Sequence, residues 1–571
     1  MAFKWVSPQD FIPRTFELFS KGEGKGYSWH SFGKDLLAGL IVGIVALPLA
    51  MAFSIAAGGT PAQGLYTAII AGFCISAFGG SRFQIGGPTG AFVVIIYGVI
   101  LKHGMAGLIA ATVLAGLMLI AMGASGLGRF IKYIPYPVTM GFTTGIGVLI
   151  FSQQVKDFLG LDIAKSSPGF FAQWSEYFGA IGTIDPATVA VGFGAMGIII
   201  LIRRFIPRIP GAAVGVLALT LICWAFALPV ENIGSRFGGI PAGLPVPHLP
   251  PISLEVILDV FPSAFTIALL AAIESLLSAV VADGMTGDRH NSNTELIAQG
   301  IGNIASVIFG GIPATGAIAR TATNIKSGAT SPVAGIVHSL TLVLFILLLA
   351  PAASAIPLAS LSAVLMVVSW DMSNVPRFIR ILRTAPKSDI IVLVTTFVLT
   401  IAVDLTFAVE VGVVLAVFLF LKRMVELGTI KSENDQLIAE LAYGDVENRA
   451  LAADSIKALH QKDIEVYSIN GPFFFGVADT LQHVLRSVAK KPRVFILRMR
   501  NVPAVDSTGI TALESFLAQC RHGKIQLILS EIREQPKKAL EKAGFFSEIG
   551  RENVLDTLDD ALGWAEKEPA Y

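Results

Sequence analysis

The sequence predicts a polytopic α-helical membrane protein, with fourteen transmembrane segments in two inverted sets of seven, followed by a soluble α/β domain. Composition supports the membrane part, because 53% of the residues are hydrophobic, only 15% are charged and the mean hydropathy is +0.69. A chain of this kind lies mostly in lipid. Repeated apolar runs support the transmembrane segments, and alternating strand-like and helix-like runs near the end support the soluble domain.

Seven apolar runs precede a polar loop, and seven more follow it. The first set is Phe32–Phe53, Ala62–Phe78, Pro88–Leu101, Ala106–Gly123, Val138–Phe151, Pro186–Ile202 and Gly211–Leu228. The second set is Pro262–Val281, Glu295–Phe309, Thr315–Lys326, Pro332–Ala350, Pro357–Trp370, Asp389–Ala402 and Leu405–Leu421. Because seven is an odd number, the second set starts from the opposite side of the membrane and lies inverted relative to the first.

Cationic residues concentrate on one side of these segments, which orients the chain in the membrane. That side holds Lys25, Lys34, Arg82, Arg129, Lys132, Arg203, Arg204, Arg208, Arg289, Lys326, Arg377, Arg380, Arg383, Lys387, Lys422 and Arg423. The other side carries few cations, among them Lys102, Lys156, Lys165 and Arg236. The positive-inside rule therefore predicts that the first side, with both chain termini, is cytoplasmic. Residues 1–31 lack the apolar core and cleavage site of a signal peptide, and we expect a cytoplasmic N-terminal segment there.

The pattern of the chain changes after the transmembrane domain, which we assign to residues 32–425. Residues 426–463 are predicted to form a linker, in which Gln436–Lys462 has the pattern of helices with polar faces and no assigned role. In residues 464–571, Ile464–Ile469 precedes the helix-like Val477–Val488, Arg493–Met499 precedes Thr508–Gln519, and Ile525–Leu529 precedes Glu534–Lys542. This alternation predicts a parallel sheet covered by helices.

Charge and cysteine content exclude several function classes. The net charge is +1, which provides no electrostatic footprint for nucleic acid. Cys74, Cys223 and Cys520 are scattered along the chain and predict neither a disulfide framework nor a metal site. The soluble domain shows no phosphate-binding loop or catalytic cluster, so we expect no enzyme activity and no cofactor.

Two similar Gly- and Pro-containing stretches stand at corresponding places in the two halves. Gly310–Arg320 reads GGIPATGAIAR, and Gln84–Ala91 reads QIGGPTGA. Such a pair, next to short apolar runs, points to a transporter's binding site at the membrane midplane. Two helix N-termini that face each other present unpaired N–H groups and positive dipole ends, which favour a bound anion. The alternative is close helix packing alone, the role that Gly39 and Gly43 are expected to have.

Arg320 lies inside the predicted tenth segment, where a guanidinium costs about 2.5–3.5 kcal/mol on insertion scales. Arg320 is six residues from Lys326, about one and two-thirds turns deeper in the membrane. A structural arginine that extends its side chain to the surface is the alternative, but this depth is unfavourable for it. We therefore interpret Arg320 as the fixed positive charge that attracts an anionic ligand.

Glu274 is a carboxylate inside the predicted eighth segment. A buried, isolated glutamate is expected to be neutral or paired, and intramembrane carboxylates often mark ion or proton pathways. We expect Arg320 to be its partner, and a purely structural ion pair between two helices is the alternative. Ser275 and Ser278 add hydroxyl groups beside Glu274, although either serine could bond back to its own helix.

In the soluble domain, the stretch VDSTGI at Val505–Ile510 places Asp506 and Ser507 before a predicted helix. We consider Ser507 a candidate regulatory site of this domain. The alternative is that the stretch only caps the helix, since Asp and Ser are favoured at the N-cap position.

Several stretches together resemble one known family. They are LPLAMAFSIAAG at Leu47–Gly58, GLYTA at Gly64–Ala68, GGSRFQIGGPTGA at Gly79–Ala91, AIESLL at Ala272–Leu277, VADGMTGDRHNSNTELIAQGIGN at Val281–Asn303, GGIPATGAIART at Gly310–Thr321, and GPFFF and VDSTG in the soluble domain. Over nearly its whole length the chain resembles the sulfate permease (SulP) family of anion transporters, solute-carrier family 26 in animals. Its last part resembles the sulfate-transporter/anti-sigma-antagonist (STAS) domain. Within the family it is similar to bacterial C4-dicarboxylate uptake proteins through IESLL, DGMTG, NTELI and the Ala319–Arg320 pair, and these look nearest.

The resemblance implies a fourteen-helix inverted repeat with core and gate domains, usually a homodimer, in a bacterial inner membrane. The core would carry the anion across the bilayer by an elevator-like displacement, and the STAS domain would offer a surface for a cytoplasmic partner. We expect proton-coupled symport of a C4-dicarboxylate such as fumarate or succinate. The alternative is transport of sulfate or bicarbonate, with sodium as the coupled ion.

The resemblance also implies an anion pocket between the third and tenth helices, with help from the first. Its residues here are Leu49, Phe53, Gly87, Thr89, Gly90, Ala91, Thr315, Gly316, Ala317, Ala319 and Arg320. Glu274 matches the family's acidic position on the eighth helix, implicated in cation coupling, and we group Ser275 and Ser278 with it. In sodium-coupled bicarbonate relatives a hydroxyl residue follows the Gly-Ala of the tenth helix, whereas Ile318 stands there in this chain. Because Ile318 lacks an oxygen ligand for a hard cation, we expect a coupled proton and no metal ion.

Two rival functions are less compatible with these residues. A nucleobase transporter of the same fold would carry a second carboxylate on the tenth helix, where this chain has Arg320. A membrane anchor for a signalling domain would need no intramembrane Glu274 or Arg320 and no broken helices.

Overall fold

The computed structural model describes residues 11–17, 27–128, 135–163, 169–206, 209–241, 243–248, 253–403, 405–427, 429–432, 463–474, 481, 484 and 491–567. These residues form two compact units, divided between Ala416 and Val417. The predicted helical segment Gln436–Lys462 lies outside the described residues. So does the predicted helix Val477–Val488, except for Leu481 and Val484, which are helical and buried.

The first unit is helical. Its elements are α1 (Arg14–Glu17), α2 (Trp29–Ala56), α3 (Pro61–Phe78), β1 (Gly86–Gly87), α4 (Gly90–Ala124), α5 (Tyr136–Leu159), α6 (Phe170–Gly179), a short 3-10 turn (Ile181–Thr183), α7 (Pro186–Phe205), α8 (Gly211–Ala225), α9 (Ile233–Phe237), α10 (Leu254–Thr286), α11 (Ser292–Ile308), β2 (Thr315–Gly316), α12 (Ile318–Lys326), α13 (Val333–Ala353), α14 (Leu358–Ser373), α15 (Val375–Thr384), α16 (Lys387–Ala402) and α17 (Leu405–Leu427), which extends into the second unit. Every predicted transmembrane run overlaps one of these helices. Among the described residues, eight helical stretches are long and apolar enough to cross a membrane, and one of them, Leu358–Thr384, consists of α14 followed by α15.

The third and fourth predicted runs share the long helix α4, which is broken at Gly104. Gly104 has φ 67° and ψ −170° and is the residue of α4 with a non-helical backbone. A positive φ is accessible to glycine at little steric cost. The predicted boundary between the two runs is therefore a single-residue interruption within α4.

The packing of the helices follows an inverted repeat. The helix α4 packs against α10 and α11, the first two segments of the second set. The contacts of Gly107 with α10 and of Gly116 with α11 lie in the second half of α4, which is the fourth segment of the first set. Reciprocally, α13 packs against α2 and α3. A Cβ added at Gly39 of α2 would come 2.5 Å from the Ala334 carbonyl oxygen, and one at Gly116 of α4 would come 2.8 Å from the Gly300 carbonyl oxygen. Glycine thus permits close contact at both of these interfaces, as small residues do in membrane helices.

The second unit contains a five-stranded sheet in the order β3–β4–β5–β6–β7. Its elements are β3 (Thr429–Ser432), β4 (Ile464–Asn470), β5 (Val494–Asn501), α18 (Ser507–His522), β6 (Gln526–Ser530), α19 (Glu534–Lys542), α20 (Phe545–Ile549), a 3-10 turn (Arg551–Asn553), β7 (Val554–Leu555) and α21 (Leu558–Lys567). β4 to β7 are parallel, as the alternation of strands and helices predicts. β3 pairs antiparallel with β4 and lies inside the segment predicted to be a linker. Its four residues, TIKS, carry no strand periodicity that would reveal it.

Side chains of alternate strand residues cover the two faces of this sheet. On one face Phe495 and Leu497 pack with Phe516 of α18. On the other face Ile496 packs with Ala561 of α21. The buried pattern of β5 follows from this two-sided covering, as expected for parallel strands.

Candidate functional site

The two repeated Gly- and Pro-containing stretches meet in the structure. β1 and β2 pair antiparallel, with Gly86 opposite Gly316 and Gly87 opposite Thr315. The helix α4 starts directly after β1, at Gly90, and α12 starts directly after β2, at Ile318. The two helices begin two residues after Pro88 and three residues after Thr315, where the predicted runs begin. In the second stretch, Thr315 and Gly316 belong to the ribbon and not to the helix. Two helix N-termini therefore meet at one small ribbon.

The first turns of α4 and α12 are available to an anion. The N-cap residues are Thr89 for α4 and Ala317 for α12, and neither side chain caps its helix. The buried hydroxyl oxygen of Thr89 has no hydrogen-bond partner among the described residues. Uncapped N–H groups and the positive ends of two helix dipoles favour a negative charge at this place.

Arg320 reaches from α12 to the start of the other repeat. It is 2% exposed, and its Nη2 donates to the Pro88 carbonyl oxygen. Its Nη1 has no hydrogen-bond partner in the part of the chain that the structure describes. Gly87 has φ 151°, and a Cβ added there would overlap Nη1. Glycine at this position leaves the space that the guanidinium occupies, and one edge of the guanidinium remains available to a ligand.

A shell of polar side chains fixes the backbone before and within β2. Asn303 of α11 donates to the Ala314 carbonyl oxygen at 2.8 Å and accepts from the Ala314 N–H at 2.9 Å. Thr67 of α3 accepts from the Ile312 N–H at 2.7 Å. Neither side chain was predicted from the sequence to belong to the site. The available signal was a polar residue inside each apolar run, since buried polar groups need partners.

Ser275 and Ser278 of α10 also bond to the site. Ser275 Oγ accepts from the Gly316 N–H at 2.9 Å, and Ser278 Oγ lies 3.1 Å from Thr321 Oγ1. Thr321 Oγ1 in turn accepts from the Ile85 N–H at 3.1 Å. The alternative that both serines only bond back to their own helix is therefore wrong. They tie α10 to the two stretches that form the ribbon.

Glu274 and Arg320 do not form an ion pair, contrary to expectation. Glu274 is 9% exposed on α10, and its carboxyl group has no hydrogen-bond or ion-pair partner among the described residues. Ser275, the next residue, faces the ribbon, and consecutive helix residues point about 100° apart. The structural ion pair considered as an alternative is therefore absent as well.

The remaining predicted pocket residues divide into buried and exposed groups. Phe53 of α2 is 6% exposed and Ala91 is 1% exposed, whereas Leu49 is half-buried and Ala319 is exposed. A Cβ added at Gly90 would come 3.2 Å from Phe53 Cε1, so the start of α4 lies directly against α2. Thr315 Oγ1 donates to the Gly316 carbonyl oxygen at 3.1 Å.

His338 of α13 is a buried residue that the sequence analysis missed. Its exposure is 0%, and neither ring nitrogen has a hydrogen-bond partner among the described residues. Its Cε1 lies 3.6 Å from where a Cβ of Gly72 would stand. The imidazole is therefore enclosed between α13 and α3.

In the second unit, Asp506 is the N-cap of α18. Its Oδ1 accepts from the Gly509 N–H at 2.8 Å. Ser507 is the first residue of the helix and is exposed. The capping role therefore belongs to Asp506, and the hydroxyl of Ser507 is accessible.

We expect Asn303→Ala to disrupt the approach to the ribbon. The substitution leaves the buried N–H and carbonyl of Ala314 unpaired, at a cost of about 2 kcal/mol. We expect a lower melting temperature in detergent and slower anion uptake in proteoliposomes. Thr323→Ala is the matched control, because Thr323 bonds only within α12, to the Ala319 carbonyl oxygen. Equal stability and uptake of the Asn303 variant and the control would show that the Asn303 contacts are dispensable.

The described residues contain no group of three or more His, Cys, Asp or Glu side chains that could hold a metal ion.

Comparisons with known proteins agree with the observed architecture. Residues 32–396 match the sulfate permease family, and residues 455–561 match the STAS domain. The two matches cover the helical first part of the chain and the sheet-containing second part.

Two relatives cover almost the entire chain. YvdB of Bacillus subtilis, whose name refers to sulfate transport, is 41% identical over 544 residues, which are 95% of this chain and 99% of that protein. The bicarbonate transporter BicA of Picosynechococcus is 31% identical over 554 residues, or 92% of this chain and 94% of that protein. The sequence was expected to be most similar to C4-dicarboxylate uptake proteins. This expectation is wrong, because the names of these relatives refer to sulfate and bicarbonate.

Solved structures share the fold. The murine solute carrier 26 family member A9 anion transporter, in the inward-facing state, has a TM-score of 0.84 at 20% identity and covers 98% of this chain and 94% of that chain. The transmembrane domain of a cyanobacterial bicarbonate transporter BicA has a TM-score of 0.60 at 30% identity and covers 68% of this chain and 98% of that chain. The inverted packing of the helices is consistent with these structures. The relatives are transporters and not enzymes, and the chain belongs to the sulfate permease family of anion transporters.

Proposed function

We propose that the chain is a secondary active transporter that binds a small anion at the β1–β2 ribbon and moves it by an elevator-like mechanism. The observation that carries this proposal is the buried Nη1 of Arg320, which lacks a partner among the described residues beside two uncapped helix starts. A desolvated guanidinium is stabilised by a compensating anion. The helix ends and the arginine together provide donors in a nearly dry site.

The substrate we favour is a small oxyanion, sulfate or bicarbonate, as the names of the two relatives suggest. A C4-dicarboxylate such as fumarate or succinate is the second candidate, since its carboxylates can bind to the same guanidinium. The guanidinium can bind a carboxylate or another oxyanion through two parallel hydrogen bonds. One arginine and backbone amides accommodate either class, so a direct assay must distinguish them.

We propose that the coupled ion is a proton carried by Glu274. The support is its burial without a partner in the described part of the chain. The hydroxyls of Ser275 and Ser278 already contact Gly316 and Thr321, and Ile318 offers no oxygen. A hard cation such as sodium, the alternative, prefers several oxygen ligands.

The deciding experiment is uptake into proteoliposomes with radiolabelled sulfate, bicarbonate, fumarate and succinate, each with a proton gradient, a sodium gradient or neither. We expect saturable uptake of at least one anion, accelerated by an inward proton gradient. Uptake of a neutral solute only, or no uptake of any of the four anions by folded protein, would contradict the proposed function.

We further propose a homodimer in a bacterial inner membrane, with both termini in the cytoplasm and a cytoplasmic partner for the STAS domain. The concentration of cations on one side of the membrane segments supports this orientation. The exposed hydroxyl of Ser507 supports a regulatory role for the start of α18. Phosphorylation there would add negative charge at a helix N-terminus, where it is favourable.

We expect the transmembrane part to bind its anion without the STAS domain. The cut belongs after Leu427, because β3 begins at Thr429 and pairs with β4 of the soluble sheet. All of the ribbon contacts described above come from residues before that point. Isothermal calorimetry of the truncated and full-length proteins should give similar affinities, although the transport rate is expected to fall. A folded truncated protein that no longer binds the anion would assign part of the site to the STAS domain.

A further inference from the structure

The helix α15 (Val375–Thr384) carries an arrangement that anion transport at the ribbon does not use. Its ten residues, VPRFIRILRT, include three arginines and no carboxylate. At about 100° per residue, the three arginines share one side of the helix. The opposite side holds the apolar residues Val375, Phe378, Ile379, Ile381 and Leu382. This is the pattern of a basic amphipathic helix that lies at a membrane surface.

Short connections hold α15 at the level where its neighbours leave the membrane. Asn374 alone separates α15 from α14, and Ala385 and Pro386 separate it from α16. Asn374 has φ 39° and ψ 48°, a left-handed conformation that turns the chain at the end of α14. Because one residue spans at most about 3.6 Å, α15 must stay next to the ends of these two helices. The bilayer surface is therefore the surface that α15 faces.

The basic side of α15 has an excess of positive charge. Arg380 and Arg383 are exposed, and neither forms an ion pair within the described part of the chain. Asp371 at the end of α14 is already paired with Arg203, at 2.8 Å. Lys387 at the start of α16 adds a further cation. The region therefore attracts an anionic partner from outside the chain.

The apolar side of α15 is incompletely covered. None of the ten residues of α15 is buried, and Ile379 is 40% exposed. Phe378 contacts the ring of Phe397 at 5.1 Å between centroids, and the Arg377 guanidinium lies 4.9 Å from the ring centroid of Tyr136. These contacts fix the helix against α16 and α5. The rest of the apolar side remains available to lipid.

We propose that α15 binds the headgroups of anionic phospholipids in the cytoplasmic leaflet. The apolar side enters the boundary of the acyl chains, and Arg380 and Arg383 donate hydrogen bonds to the lipid phosphate. The positive-inside rule places this side of the protein in the leaflet where anionic lipids attract such cations. A phospholipid carries its phosphate next to its acyl chains. One lipid molecule can therefore contact both the arginines and the apolar side of α15.

The test measures binding of fluorescent phosphatidylglycerol to the purified full-length protein in neutral detergent. We expect R380Q/R383Q to weaken binding on the order of 30-fold, because each cation near a membrane surface contributes roughly fivefold. R380K/R383K should retain most of the affinity. The matched control is K524Q/K542Q, which removes two exposed cations from the STAS domain and should bind as the wild type does.

Competition and variants decide the outcome. Loss of binding in R380Q/R383Q, with retention in the lysine variant and the control, supports the proposal. Wild-type binding by R380Q/R383Q overturns it. Equal competition by inorganic phosphate or glycerol phosphate also overturns it, because α15 would then recognise a free phosphate and not a lipid. If R380Q/R383Q does not fold, the test depends on R380K/R383K, which keeps both positive charges. Loss of lipid binding by folded R380K/R383K would overturn a site that depends on charge.

Discussion

Arg320→Ala is expected to abolish anion uptake in proteoliposomes, with the largest effect of any single substitution in the site. The buried guanidinium supplies the net charge that offsets desolvation of the anion, and backbone amides alone do not. Loss of charge-assisted hydrogen bonds is expected to weaken anion binding by about 2–3 kcal/mol, on the order of 100-fold. Calorimetric titration of the purified variant and radiolabelled uptake measure the two effects separately.

Two further variants make this result interpretable. Arg320→Lys keeps the charge but loses the planar fork, so we expect intermediate affinity. Arg204→Ala removes an exposed arginine at the end of α7 and should leave uptake unchanged. Because Arg320 also donates to the Pro88 carbonyl oxygen, the melting temperature of each variant must be measured. A folded Arg320→Ala protein with wild-type affinity and uptake would refute the proposed role.

Glu274→Gln is expected to retain anion binding but to lose acceleration by an inward proton gradient. A neutral carboxyl group repels an incoming anion less than a carboxylate does, so anion binding and proton binding support each other. An interaction of about 1.4 kcal/mol between them changes affinity tenfold. Wild-type uptake should therefore rise as the external pH falls and should need no sodium, whereas uptake by Glu274→Gln should depend little on pH.

The control for this prediction lies on the same helix. Glu255→Gln removes an exposed carboxylate near the start of α10 and should leave proton coupling intact. Wild-type uptake that ignores the proton gradient but requires sodium would contradict the proposal. Glu274 would then be interpreted as part of a sodium site, in spite of the missing oxygen ligand at Ile318.

The sequence by itself determined the helices of the membrane part and the parallel strands of the soluble part. Hydropathy and periodicity are properties of consecutive residues, so they can be determined without knowledge of the fold. The likeness between Gln84–Ala91 and Gly310–Arg320 also identified the two stretches that meet, because an inverted repeat places equivalent segments at one site. The expectation that the chain is not an enzyme followed from the soluble domain, whose sequence shows no phosphate-binding loop or catalytic cluster, and it agrees with the transporter relatives.

Only the tertiary structure decided which groups pair with which. The sequence suggested an ion pair between Glu274 and Arg320, yet the guanidinium bonds the Pro88 carbonyl oxygen instead. Likewise, the double contact of Asn303 with Ala314 spans eleven residues and a turn, and β3 gains its strand identity only by pairing with β4. Hydrogen bonds act over about 3 Å, so they depend on how helices pack in space, and the hydropathy of a segment carries no information about the direction of its polar side chains.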